Sequence, residues 1–239
     1  MKKEDVAYEV NGVKLVGKVV YDESVSGKRP AVIVAHAFEG RNDLAIEYAE
    51  KCAKLGYVGF ALDMYGNGEV FDSFEVCAKH YMECFQNRKM CRERTVGALE
   101  TVRSLDQVDP DNIAAIGFCF GGLCVLELAR SGADIKGAVA VHGVWAKSDV
   151  PTEAIKAEIL CVHGYKDPQV PPDQLGPFAE EMDAAGADWE VVFYGNAKHA
   201  FTDPHAAELG PKEAGRVYDP KASKRAWIAA SNLFEEVFQ

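Results

Sequence analysis

No run in this 239-residue chain approaches the ~20 apolar residues that span a bilayer. The opening MKKEDVAYEV mixes charged and apolar residues and lacks the continuous apolar stretch of a signal peptide. Positive charge is in short supply: 26 Lys and Arg stand against 37 Asp and Glu, a formal net charge of −11. A surface of that sign repels phosphate backbones and argues against a nucleic-acid partner. CxxC, HExxH, P-loop and GxGxxG patterns are all missing, so neither a metal nor a nucleotide cofactor is implied. The seven cysteines are odd in number and irregularly spaced, which excludes a complete intramolecular disulfide framework. Reduced thiols and a cytoplasmic, membrane-free location are the expectation.

The hydrophobic fraction of 48% and charged fraction of 26% are those of an ordinary globular chain. No internal repeat, low-complexity tract or composition break marks a linker, so one domain over 1–239 is expected. The first element reads as a β-hairpin: VAYEV and VKLVGKVV flank Asn11-Gly12, a pair suited to the φ > 0 of a type I′ turn. Pro30 leads into AVIVAH (31–36), a short apolar run of the kind found in buried strands. Asp43 then precedes a helical pattern ending at Gly56, with Asp43 as the expected N-cap.

The alternation continues along the chain. Strands are expected at 57–64, 113–118, 137–143, 157–164 and 189–195, and two helical segments within 73–105. A helix over 123–130 closes at Gly132, another starts at or just before Pro177, and a last one runs from about Pro220 to Phe238. Strands alternating with helices predict a mostly parallel, twisted sheet covered by helices on both faces.

Residues 117–122 read Gly-Phe-Cys-Phe-Gly-Gly between an apolar strand and a helix. This is the G-x-nucleophile-x-G elbow with Cys119 in the reacting position. Gly117 and Gly121 would remove the side chains that otherwise collide with the neighbouring strand and helix. The helix N-terminus would favour a thiolate there. A buried cysteine in a glycine-rich turn is the plainer alternative, because the pattern alone is weak. On this topology the acid and the histidine follow the nucleophile, on loops after later strands. Asp167 follows the strand 157–164, and His199 follows the strand 189–195. His36, His142 and His163 also end strands and could line the cleft, but all precede Asp167. His205 lies deeper in a Pro- and Gly-rich loop, and Asp63 is better placed to tie down the turn DMYGNG.

Together the motifs GFCFGG (117–122), HGYKD (163–167) and NAKHAF (196–201), with AHAFEGRND (35–43) and ALDMYGNG (61–68), resemble the dienelactone hydrolase family of α/β-hydrolases. The resemblance implies an α/β-hydrolase fold, Cys119 as nucleophile, His199 as base and Asp167 as orienting acid. It also implies an oxyanion hole from the backbone N–H groups of Phe38 and Phe120, and it is compatible with a homodimer. Two positions depart from the family pattern. Ala37 stands where a glutamate touches the resting thiol, with Glu39 two residues on. Thr202-Asp203 stands where an arginine holds the substrate carboxylate.

These departures predict a hydrolase of activated esters or lactones acting on neutral, apolar or aryl substrates, with neutral phosphotriesters as side substrates. Candidate pocket residues are Ala37, Phe38, Tyr65, His80, Phe118, Phe120, Trp145, Phe201 and Asp203. Core packing is the ordinary fate of any one of the aromatics. Cys77, Cys84 and Cys91 recur every seven residues, about 10 Å apart per step on a continuous helix, too far for three to share a metal. Packing is expected for them. A thiol redox sensor or a silent binding protein on the same scaffold is the alternative of a different class; a thioesterase or a peptidase of the superfamily is the alternative within it.

Overall fold

The computed structural model describes residues 1–210 and 214–239. It opens with β1 (Lys2–Val10) and β2 (Val13–Tyr21), paired antiparallel from Lys2↔Tyr21 to Val10↔Val13. Asn11 and Gly12 turn the chain with φ of 52° and 78°, the left-handed values a type I′ hairpin requires.

Strands and helices then alternate: β3 (Arg29–Ala35), α1 (Asp43–Lys54), β4 (Val58–Ala61), α2 (Phe74–Gln86), α3 (Arg88–Arg103), β5 (Val108–Phe118), α4 (Phe120–Arg130), β6 (Gly137–Val141), β7 (Glu158–Gly164), α5 (Leu175–Ala184), β8 (Asp188–Tyr194) and α6 (Pro220–Val237). The eight strands make one sheet in the order β1-β2-β4-β3-β5-β6-β7-β8. The hairpin joins it antiparallel through β2 and β4, and every pairing from β4 to β8 is parallel.

Strand alternation divides the core in two. Ala31, Ile33 and Ala35 of β3 pack under Cys84, Cys91, Leu123 and Phe178, the side of α2 to α5. Val32 and Val34 pack under Tyr48, Ala49, Ala226 and Phe234, the side of α1 and α6. Both faces of the central strands β3, β4, β6 and β7 are therefore buried, which explains their nearly continuous apolar sequences.

One helix cap differs from expectation, while the start of α5 and the break within 73–105 fall where expected. The N-cap of α1 is Asn42, whose side chain accepts from the Ala45 N–H at 3.2 Å. Asp43 is the first helical residue, where its carboxylate meets the positive end of the helix dipole. A 3₁₀ turn at Pro172–Gln174 leads into α5, which begins two residues ahead of Pro177. The helical stretch around 73–105 breaks at Asn87, whose Oδ1 accepts from Met90 N–H at 3.0 Å and caps α3. Cys77, Cys84 and Cys91 are all buried, and Cys91 Sγ lies 3.9 Å from Cys124 Sγ on α4.

Candidate active site

Cys119 occupies the joint between β5 and α4 with φ 52° and ψ −111°, a conformation that costs an L-residue roughly 1–3 kcal/mol. The flanking glycines make it attainable. A Cβ on Gly117 would fall 2.0 Å from the Gly121 carbonyl oxygen, and one on Gly121 would fall 2.1 Å from that of Ala35. The turn is thus sharp enough to lift one side chain off the sheet's carboxyl edge. Cys119 is the partly exposed cysteine; the other six are buried. Burial pushes the Cys84 and Cys161 thiols up to about 12 and the Cys77 thiol up to about 11, so these sulfurs stay protonated and unreactive.

Two loops bring the partners. The loop after β8 carries His199, whose Nε2 lies 3.0 Å from Cys119 Sγ. The loop after β7 carries Asp167, whose Oδ2 lies 2.7 Å from His199 Nδ1. Asp167 is itself fixed: its Oδ1 accepts from the Gln169 N–H at 2.8 Å and the Val170 N–H at 3.2 Å. His163 Nε2 donates to the Val170 carbonyl at 3.0 Å and stands 3.3 Å from Asp167 Oδ2. Burial opposes the Asp167 charge, but the contacts from His163 and His199 outweigh it and hold the carboxyl well below its usual range. Burial likewise opposes a charge on His199; the facing Cys119 and Asp167 overcome it and carry the imidazolium up to about 10. His205 is exposed and pairs with Glu208 at 2.8 Å, outside this chain of contacts.

The backbone N–H groups of Phe120 and Phe38 have no acceptor among the described residues. Asp63 is buried and accepts from the backbone N–H groups of Val16, Tyr65, Gly66 and Gly68 at 2.7–3.0 Å, which ties the turn after β4 to the hairpin. Tyr65 is thereby set against the Phe120 ring, stacked at 5.4 Å, and its hydroxyl donates to the Phe38 carbonyl at 3.1 Å. Tyr81 meets Phe120 edge-on at 5.8 Å, and Phe38 packs against Phe74 and Tyr81. His80 lies beside this group, stacked on Phe71 at 4.7 Å and tilted against Tyr65 at 5.1 Å. Ala37, half-buried, packs against the core on the α1 and α6 side.

Three of the expected pocket residues need correction, and a fourth, Asp203, has a partner the sequence did not show. Phe118 points into the layer under α1 and α6, fully buried 4.2 Å from the Tyr48 ring. Phe201 is fully buried between His142 and Tyr194. Trp145 is buried against Phe178, His163 and Phe193 beneath α5. All three are core. Asp203 does not stand opposite the thiol as a free charge: its Oδ2 lies 3.8 Å from an Arg216 amino nitrogen.

Arg216 is the residue that the sequence did not disclose. Its guanidinium donates to Glu39 Oε1 and lies over the Phe38 ring with 5.9 Å to the centroid. A short parallel bridge, with Val217 N–H donating to the His199 carbonyl at 3.0 Å, seats it beside the histidine loop. An arginine therefore is present at the site, reached from a later loop and held between two carboxylates. The available signal was that Arg216 is the one arginine between His199 and α6. Beyond this group a cavity of about 540 Å³ is lined by Glu39, Asp43, Glu47, Asp72, Asp203 and Glu208, and it does not include Cys119.

The parallel sheet, the strand-to-helix elbow and the ordered loops define an α/β-hydrolase. The model of the dienelactone hydrolase family matches residues 16–238, and the chain belongs to that family, which makes it a carboxylic-ester hydrolase. A dienelactone hydrolase-like promiscuous phosphotriesterase from metagenomic libraries superposes with a TM-score of 0.94 at 36% identity, covering 100% of this chain and 99% of that one. A structure designated m3DLH gives a TM-score of 0.92 at 37% identity, with 100% and 99% covered. An Aquifex aeolicus chain provisionally named carboxymethylenebutenolidase is 28% identical over 235 residues, 96% of each chain.

Proposed function

We propose that the chain hydrolyses activated esters and lactones through Cys119, with His199 as general base and acid, Asp167 as the orienting carboxylate, and the N–H groups of Phe120 and Phe38 as the oxyanion hole. The carrying observation is the continuous contact Asp167–His199–Cys119, at 2.7 Å and 3.0 Å, at a strained, partly exposed elbow. His199 Nε2 takes the Cys119 proton, and the sulfur attacks the carbonyl carbon. The oxyanion then forms against the N–H groups of Phe120 and Phe38, each worth about 3 kcal/mol in comparable sites. Collapse breaks the ester C–O bond, and His199 returns its proton to the departing oxygen. The resulting thioester is attacked by a water that gives a proton to His199, and the sulfur leaves.

Charge supports neutral acyl groups. A substrate carboxylate would meet Glu39 and Asp203 with Arg216 already engaged between them, and the neighbouring cavity adds four more acidic residues. The aromatic layer of Phe38, Tyr65, Tyr81 and Phe120 favours apolar or aryl groups. Neutral phosphotriesters are the second reading, favoured by the likeness to the metagenomic phosphotriesterase; there the thiolate would attack phosphorus and expel an aryl oxide.

A panel of p-nitrophenyl esters, neutral lactones, acidic lactones and aryl phosphotriesters tests the assignment. Neutral aryl esters and lactones are expected to lead, and Cys119→Ala to abolish turnover on all of them. A strong preference for acidic lactones would mean that Arg216 releases Glu39 to bind them, and would overturn the charge argument.

A further inference from the structure

His142 follows β6, next to the elbow, and nothing in the proposed reaction uses it. It is fully buried and adopts φ 38°, a left-handed value that a non-glycine residue holds only when its surroundings over-determine it. Those surroundings are specific. The Cys119 backbone N–H points at His142 Nδ1, 3.1 Å away, and shares itself with the Val141 carbonyl at 3.0 Å. His142 Nε2 lies 2.8 Å from Thr202 Oγ1. The ring is edge-on to Phe201 at 5.0 Å and to His199 at 5.3 Å. One imidazole thus touches the nucleophile's backbone and three residues of the loop that carries the base.

The hydrogen-bond directions fix the tautomer. A backbone N–H can only donate, so Nδ1 is the bare, accepting nitrogen and the ring proton sits on Nε2, facing the Thr202 hydroxyl. We propose that His142 is a positioning residue that couples the Cys119 elbow to the His199 loop, through Cys119 N–H···Nδ1 on one side and Nε2–H···Oγ1 of Thr202 on the other. This rests on the Cys119–His199 reading above and deepens it. The titratable groups facing the ring are His199, Asp167 and His163; burial and the neighbouring His199 push its protonation well below the ordinary histidine range. A protonated ring would set a second donor against the Cys119 N–H, so neutrality is what lets the link persist through turnover. Val141 retains the elbow's N–H when the ring is lost, so removing the link loosens the spacing of sulfur and imidazole without dismantling the turn. Displacements near 1 Å at reacting atoms cost on the order of 100-fold.

Thr202→Val removes the loop end of the link with almost no change of shape. His142→Asn keeps an acceptor for Cys119 N–H on a residue that tolerates φ > 0, and also loses the loop end. Each single variant is expected to lower kcat on a p-nitrophenyl ester about 10-fold with KM within about 2-fold, and the double variant to be no worse than the weaker single one. Inactivation by iodoacetamide, which reads the sulfur–imidazole pair without turnover, should slow and change its pH profile in the same variants. Wild-type kcat and an unchanged alkylation profile in Thr202→Val would overturn the proposal, as would losses that multiply in the double variant. Should His142→Asn fail to fold, Thr202→Val decides alone. Turnover surviving Cys119→Ala would instead strike the nucleophile assignment, and the link with it.

Discussion

His199 and His142 are both fully buried, with ring centroids 5.3 Å apart, yet their protonation moves in opposite directions. Burial alone disfavours the charged form of each. His199 faces Cys119 on one nitrogen and Asp167 on the other, and is carried up to about 10. His142 faces a backbone N–H and a neutral hydroxyl and touches no anion, so burial, with His199 adding to the push, takes it well below its usual value. Neighbours, and not depth, decide which ring can move a proton. The one beside the thiol is suited to general acid–base work, and the other to holding a fixed tautomer.

The largest loss is expected at His199. His199→Ala should cost 10³-fold or more in kcat/KM, because base, acid and thiolate partner vanish together; ester hydrolysis assays read this directly. Asp167→Asn should cost on the order of 10²–10⁴-fold. It removes the charge that fixes the His199 tautomer, and so moves His199 toward the environment His142 already has; the alkylation pH profile should shift with it.

The alkaline limb of the pH profile separates two classes of leaving group. Alkyl esters need a proton delivered to the leaving oxygen, so their kcat/KM should fall as pH rises through about 10, where His199 deprotonates. p-Nitrophenyl esters, whose leaving group needs no proton, should show a much weaker fall over the same range. The smallest effect concerns stability. His142 has a folded-state value below its unfolded one, so its neutral form contributes stability above about pH 6.5, and that contribution is lost as pH falls toward the folded value. Melting temperatures of His142→Asn measured from pH 7 to pH 5 should therefore decline less steeply than those of the wild type, by up to one proton's worth.

Much of this arrangement is legible in the sequence, for reasons that differ by element. The strand–helix alternation is written in apolar runs and glycine stops, and its boundaries fall within a few residues. Exceptions such as Asn42 capping α1 in place of Asp43 arise because both residues are good caps. Cys119, Asp167 and His199 stand out because an elbow needs glycines on both sides and because the loops that follow come in a set order. The pocket is less legible. Phe118 alternates with Ile116 and Ala114 on β5, so its direction follows from strand parity, but which face meets the cleft is a property of the assembled sheet. Arg216 arrives from a loop without any motif, joined to Glu39 across 177 residues. His142 shows only its position after a strand; its role lies in the direction of two hydrogen bonds.

The most direct measurement is rapid quenching of the enzyme with a p-nitrophenyl ester, followed by mass spectrometry of the peptide that contains Cys119. An acyl mass on that cysteine is expected, alkali-labile as a thioester, and it should disappear together with turnover in Cys119→Ala. Undiminished hydrolysis by Cys119→Ala, or an acyl group found on another residue, would contradict Cys119 as the nucleophile.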